Sequence, residues 1–172
     1  AFTSYNNKEY GGMATSPIQG DNIIIEYYEP YDVEYSGNIH ISHVVHGYKD
    51  VFFNNTIERD YGDSGSCNNN VNCPEGDPWD NEIRAAGMIL LSNGSRLCSG
   101  SMVNNVRQDL TPYFLTANHC IYGDTNSWII MFNYESSGCS NENGPTNMTV
   151  QGTTLKSNGS GSDYALFELS EN

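Results

Sequence analysis

Positive charge is the scarcest feature of the sequence. Its 172 residues contain 7 Lys and Arg against 21 Asp and Glu, which gives a formal net charge of −14. Proteins bind phosphate backbones and anionic membranes through clusters of Lys and Arg. No such cluster occurs in the sequence, so we expect no nucleic acid and no anionic membrane among its partners.

Long apolar runs are also missing. No stretch approaches the roughly 20 apolar residues of a membrane-spanning helix. The N-terminus, Ala1-Phe2-Thr3, does not begin a basic-then-apolar secretion signal, so we expect that any export signal was removed or not included. Charged residues make up only 16% of the chain, whereas it contains 12 Tyr. This composition favours strands and turns over helices, and we predict an all-β fold.

The five cysteines lack the paired Cys-x-x-Cys spacing of a structural zinc site. They are Cys67, Cys73, Cys98, Cys120 and Cys139. Widely spaced cysteines in a Lys-poor chain indicate disulfides and an oxidising compartment. We therefore expect a secreted or cell-surface protein, extracellular or periplasmic, with one cysteine left over because five is odd.

Residues 1–61 contain no cysteine and form the first of two predicted regions. Residues 23–28 and 39–46 are rich in β-branched and aromatic residues between turn signals, so both are predicted to be strands. Two strands alone are only marginally stable. We therefore interpret residues 1–61 as the end of a β-rich unit that begins upstream.

Residues 62–172 form the second predicted region. Its first part, up to residue 82, is dense in Asn, Gly, Asp and Pro, and is predicted to be a loop. Later strand candidates recur at short intervals, at residues 84–91, 96–103, 112–116, 128–134, 148–153 and 163–169. The segments between them, including residues 157–162, have the composition of turns. Six short strands at this spacing indicate a sandwich or barrel, not a parallel α/β sheet.

A single histidine follows a predicted strand in the stretch Thr116-Ala117-Asn118-His119-Cys120. A disulfide between Cys120 and Cys98 would tether the strands on either side of this histidine and fix its backbone. A catalytic general base needs such rigidity, because small displacements of the base cost large factors in rate. We therefore predict that these two cysteines are bonded.

Two stretches around this histidine resemble the general-base region of trypsin-like serine proteases. They are Cys98-Ser99-Gly100-Ser101-Met102-Val103 and Leu115-Thr116-Ala117-Asn118-His119-Cys120. Other stretches resemble the bacterial lysyl endopeptidases in the same order along the chain. They are Ser64-Gly65-Ser66-Cys67-Asn68, Cys73-Pro74-Glu75-Gly76-Asp77, Arg84-Ala85 and Ser162-Asp163-Tyr164-Ala165-Leu166-Phe167-Glu168-Leu169. The resemblance covers residues 62–169.

This resemblance implies a role for two residues and the state of three cysteines. His119 matches the general base, and Asp163 matches the carboxylate that orients the imidazole. Asp163 also heads an apolar predicted strand, where a buried carboxylate would need a hydrogen-bonding partner. The resemblance further implies a disulfide between Cys73 and Cys139. It leaves Cys67 unpaired, because its counterpart lies in a second barrel.

The nucleophile of such an enzyme follows the Asp, in that second barrel. Only nine residues follow Asp163. We therefore predict the end of a β-rich prosegment at 1–61 and the first barrel of a trypsin-like protease at 62–172. The parent protein would be a secreted serine endopeptidase without a cofactor, cleaving polypeptides, after Lys if the resemblance extends that far. Its missing second barrel would be a partner, and the isolated chain would be inactive. The alternative is a non-catalytic surface or scaffold protein that uses half of a protease fold for binding.

Three further patterns invite a functional interpretation. Gly62-Asp63-Ser64-Gly65 is similar to the surroundings of a nucleophilic serine. A nucleophile at Ser64 would give the order Ser, His, Asp along the chain, which is wrong for this fold. The resemblance instead aligns Gly62 with the start of a mature enzyme. Tyr61 argues against self-cleavage by a Lys-specific enzyme, whereas Arg59 leaves processing by another protease open. Three histidines at 40, 43 and 46 cannot converge on a metal from opposite faces of one strand. The acids Asp77, Asp80 and Glu82 match no EF-hand spacing and are interpreted as a solvated turn.

Overall fold

The computed structural model of the protein describes residues 12, 14, 15, 18, 20–45 and 67–170. Within these residues all strands lie between residues 86 and 169. They are β1 (Ala86–Leu90), β2 (Arg96–Val103), β3 (Tyr113–Thr116), β4 (Ile129–Phe132), β5 (Thr149–Gln151), β6 (Thr153–Gly159) and β7 (Tyr164–Leu169). In the described part of the chain one helix, α1 (Asp80–Ala85), precedes the strands, and three short 3-10 turns lie at Asp77–Trp79, Asn118–Cys120 and Thr125–Ser127.

The seven strands form one antiparallel sheet in the order β5-β4-β1-β2-β3-β7-β6. The two edge strands are consecutive in sequence and are separated only by Gly152, which has a φ of +83°. Its N–H donates to the carbonyl of Trp128 over 2.8 Å, and its carbonyl accepts from the N–H of Ser170 over 3.1 Å. The chain therefore turns a corner here and joins the two edges of the curled sheet. The predicted all-β barrel is confirmed.

The barrel interior contains the main apolar core. Its fully buried side chains are Ile89, Phe114, Trp128, Ile130, Ala165, Phe167 and Leu169. The ring of Phe114 meets Phe132 edge to face at 6.2 Å, and Trp128 lies 4.9 Å from Phe167. Aromatic pairs at these separations stabilise a core beyond the area that they bury.

Each of the six strands predicted between residues 84 and 169 contains an observed strand, but three details were wrong. Residues 80–85 form α1, where a loop and the start of a strand were expected. Strand β6 was missed, because its exposed polar sequence gives no apolar alternation. The predicted turn at 157–162 therefore begins too early, since β6 continues to residue 159.

The strand predictions at 23–28 and 39–46 are also wrong for the residues described. Residues 20–45 contain no strand, and their apolar side chains are exposed, with Ile24 91% accessible. The N–H of Gly37 instead donates to Tyr27 Oη over 3.0 Å and to Glu29 Oε2 over 2.7 Å. The physical reason is that β-branched residues favour a strand only where a neighbouring strand packs beside them.

Of the residues in the histidine pattern and the acidic pattern, none that the structure describes belongs to a barrel strand. His40 and His43 are exposed and are not in a strand, so the argument from strand faces does not apply, and His46 lies outside the described residues. Asp80 and Glu82 lie in the first turn of α1, where negative charge interacts favourably with the helix dipole. No helix in the described part of the chain is long and apolar enough to cross a membrane.

Candidate active site

The backbone before His119 is held to the neighbouring strand β2. Gly87 and Gly100 pair across β1 and β2, and the ring of Phe114 lies against both. At the end of β3, the Thr116 hydroxyl donates to the carbonyl of Ser99 over 2.8 Å. These contacts explain the glycine at position 100, since a larger side chain there would displace β3.

The turn that carries His119 is anchored by a disulfide. Residues Asn118–Cys120 form a single 3-10 turn directly after β3. Cys120, 3% exposed, is bonded to Cys98 on β2, as predicted. The imidazole therefore projects from a backbone that is fixed by β3 on one side and by a covalent bond on the other.

Asp163 reaches the same place from the adjacent strand. Thr116 at the end of β3 pairs with Ala165 near the start of β7. Asp163 lies in the turn just before β7 and has a φ of +52°. This is a left-handed conformation that Asp tolerates better than most residues. Its carbonyl accepts from the N–H of Asn118 over 3.2 Å. The turn before β7 and the turn after β3 are thus joined by backbone as well as by side chains.

The two residues predicted to be catalytic are in direct contact. Nδ1 of His119 lies 2.7 Å from Oδ2 of Asp163, and the N–H of His119 donates to Oδ1 over 2.9 Å. Both carboxylate oxygens are therefore used, and the ring cannot rotate without losing its partner. The predicted separation of about 2.6–3.2 Å is confirmed, whereas the catalytic roles stay a prediction.

The electrostatics of the pair define the tautomer of the ring. The hydrogen bonds from the His119 ring and backbone lower the pKa of the Asp163 carboxyl, so this group is ionised at neutral pH and only accepts hydrogen bonds. In a neutral imidazole the proton is then on Nδ1, and Nε2 has a free lone pair. The His119 side chain is 71% exposed, and Nε2 makes no hydrogen bond within the described residues. Nε2 is the atom that a reacting group would meet.

A hydrogen bond between two side-chain amides also supports the turn, and sequence reasoning missed it. Nδ2 of Asn158, on β6, donates to Oδ1 of Asn118 over 2.7 Å. Asn118 lies within the motif that was singled out, but no role was given to it. Nothing local in the sequence signals Asn158, because β6 itself was not predicted and the contact spans 40 residues.

The remaining three cysteines form one more disulfide and leave one thiol free. Cys73 is bonded to Cys139, as the resemblance implied. The amide of Asn70 supports this bridge by donating to the carbonyl of Cys139 over 2.8 Å, and Asn72 donates to the carbonyl of Ser136 over 2.6 Å. Cys67 is exposed and free, as expected.

The described residues offer one group that has the composition of a metal site. Cys98, His119 and Cys120 present donor atoms within 4.8 Å of one another. Both thiols are consumed by the disulfide, however, so this group lacks the thiolates that would bind a metal. Ser64, the alternative nucleophile, lies outside the described residues.

The arrangement defines a class of protein. An antiparallel barrel in which one strand leads to a His, and the strand beside it begins next to an Asp that holds the ring, is the first barrel of a trypsin-like protease. Residues 61–172 match the family model described as lysyl endopeptidase, C-terminal domain. The chain belongs to this family, which confirms the resemblance found in its motifs and establishes its origin in a protease family. The division of the chain at residue 61 stays a prediction.

Proposed function

We propose that the chain supplies the general base and its orienting carboxylate to a serine endopeptidase. The observation that carries the proposal is the pair of hydrogen bonds between Asp163 and His119, one to the ring and one to the backbone. A surface His–Asp ion pair needs only the first of these. The second fixes the ring relative to the carboxylate, which is the property that a general base requires.

The proposed mechanism follows from the free Nε2 atom. A serine hydroxyl gives its proton to Nε2 of His119 as its oxygen attacks the carbonyl carbon of the scissile peptide. The imidazolium then gives that proton to the leaving amine, and an acyl-enzyme remains. Water repeats the sequence, with His119 again as base, and releases the acid. Asp163 stays ionised and stabilises the imidazolium in both halves.

The serine is placed outside the described residues because in trypsin-like enzymes the nucleophile follows the Asp along the chain, in a second barrel. Cleavage after Lys is proposed from the family description alone. Secretion is supported by the two disulfides, which persist in oxidising compartments. A polypeptide is the proposed substrate, and the barrel that contains the serine is the proposed partner.

The test compares the 172-residue chain with the longest polypeptide that its gene encodes. We expect the longer protein to hydrolyse a Lys ester and to be labelled by a fluorophosphonate, and the 172-residue chain to do neither. In the longer protein, Asp163→Asn should lower kcat by about four orders of magnitude, as in other Ser-His-Asp enzymes. His119→Ala should lower it at least as far. His40→Ala, which removes an exposed histidine far from the pair in sequence, is the matched control and should leave kcat unchanged.

Two results would contradict the proposal in different ways. Inhibitor-sensitive hydrolysis by the 172-residue chain that disappears in Ser64→Ala would make Ser64 the nucleophile. A longer protein that folds, retains the His119–Asp163 contact and shows neither turnover nor labelling would favour the non-catalytic binding protein.

A further inference from the structure

Strands β1 and β4 are apolar on both faces. Inward-facing residues such as Ile89 and Ile130 belong to the barrel core. The alternate residues point outward and pair across the two strands, Met88 with Met131 and Leu90 with Ile129. We call the patch formed by these four outward side chains the outer patch. Its members are Met88, Leu90, Ile129 and Met131.

Three of the four side chains in the outer patch are buried although they lie outside the barrel. Leu90 is 0% exposed, Met131 1% and Ile129 3%. By contrast, Leu115 on the outer face of β3 is 40% exposed, which is typical of an antiparallel sheet with one face in water. Burial to this extent requires a covering segment over β1 and β4.

A residue from the N-terminal region lies against this patch. Ala14 packs against the cluster of Leu90, Ile129 and Met131, together with Tyr134, which follows β4. Thr15, its neighbour, is exposed. The contact is long-range in sequence, so it does not follow from chain connectivity to β1 or β4.

We infer that the N-terminal segment around Ala14 docks on the outer patch and serves as the cover of the barrel. The inference does not depend on the proposed catalytic activity. An uncovered patch of three or four large apolar side chains would be a liability for aggregation. The segment therefore acts as an intramolecular stabilising element of the barrel.

The docking position separates this element from the candidate active site. Strand β2 lies between β1 and β3, the strand that leads to His119. The His119 side chain is 71% exposed while Ala14 occupies the outer patch. Ala14 thus lies against the barrel while the His119 ring is exposed.

Methionine oxidation tests the inference in the full 172-residue chain, because peroxide oxidises exposed thioethers preferentially. We compare Ala14→Glu with Thr15→Glu, which adds the same charge one residue away on an exposed position. Ala14→Glu should raise the oxidation rate of Met131, measured by peptide mass spectrometry, by about fivefold or more, since a carboxylate cannot stay on an apolar face without a partner. Thr15→Glu should leave the rate unchanged.

Two other methionines serve as internal references. Met148, 54% exposed, should oxidise rapidly in every variant, and Met102, which packs on the barrel core, should stay protected unless the barrel itself unfolds. Met131 that stays protected in Ala14→Glu, with Met102 protected too, would overturn the inference, because another segment would then cover the patch. A wild-type chain that is dimeric by light scattering and exposes Met131 on dilution would overturn it as well, in favour of a second copy as the cover.

Discussion

A methyl group added at Gly100 should destabilise the barrel beside the candidate site. Gly100 faces Gly87 across β1 and β2. A Cβ built at Gly100 would lie 2.5 Å from the carbonyl oxygen of Leu115 and 2.5 Å from Cε1 of Phe114. Both distances are shorter than any real contact of a methyl group, so something must move.

Neither neighbour can move freely. Leu115 is paired with Ser101 in the β2–β3 ladder, so withdrawing its carbonyl would disturb that ladder. Phe114 is 0% exposed in the core, so there is no free space into which its ring could move. Overpacking of a core costs about 1–3 kcal/mol. Because backbone and core are both involved, we expect Gly100→Ala to lower the free energy of unfolding by about 3 kcal/mol, a large share of the roughly 5–15 kcal/mol of a typical domain.

Urea denaturation followed by circular dichroism measures this loss. Gly138→Ala is the matched control, since a Cβ there meets nothing within 4 Å, and it should change the stability by less than about 0.5 kcal/mol. Gly87→Ala, whose Cβ would meet only side chains at 3.0–3.1 Å, should fall between the two. A Gly100→Ala variant as stable as Gly138→Ala would refute the reasoning, because the close approach of β3 to β2 would then be wrong.

Replacing Cys98 and Cys120 together with Ser should lower the free energy of unfolding by about 3 kcal/mol, by the loop-entropy estimate for a bridge of this span; thermal unfolding under non-reducing conditions measures it. Thr116→Val removes a hydrogen bond from a buried hydroxyl and should cost about 1 kcal/mol in the same assay. Asp163→Asn should be less stable than wild type at neutral pH, and the difference should disappear under acid. The sign follows from the lowered pKa of the folded-state carboxyl: its contribution is complete above the unfolded-state pKa of 3.8 and is lost as the pH falls through the lower folded-state pKa. A difference that does not shrink as the pH is lowered would exclude charge as its cause. Titration of the denatured, unreduced chain should detect one thiol, that of Cys67.

Local sequence pattern was sufficient for the strands that contribute to the core and insufficient elsewhere. Strand β7 alternates buried and partly exposed residues. Every second side chain packs in the barrel interior, and this packing requires apolar residues at alternate positions of the sequence. Strand β6 is exposed over most of its length, so nothing in its side chains distinguishes it from a loop. Residues 23–28 show the reverse error, since their β-branched composition predicted a strand for which the described structure provides no partner. The composition of a segment indicates what the segment packs against. A segment that is exposed to water has no packing partner, so its composition does not indicate its secondary structure.

The same limit applies to the candidate site. The turn at His119 could be predicted, because the strand, the histidine and the cysteine that anchors it are adjacent in sequence. Asp163 lies 44 residues further on, and only the family resemblance indicated it with a defined role. Its position depends on the β3–β7 pairing and on a left-handed φ at one residue, neither of which leaves a periodic signal. Three contacts to the His119 turn, through one carbonyl and two carboxylate oxygens, then depend on that single conformation. The turn between β6 and β7 therefore controls the geometry of the site as much as the motif around His119 does.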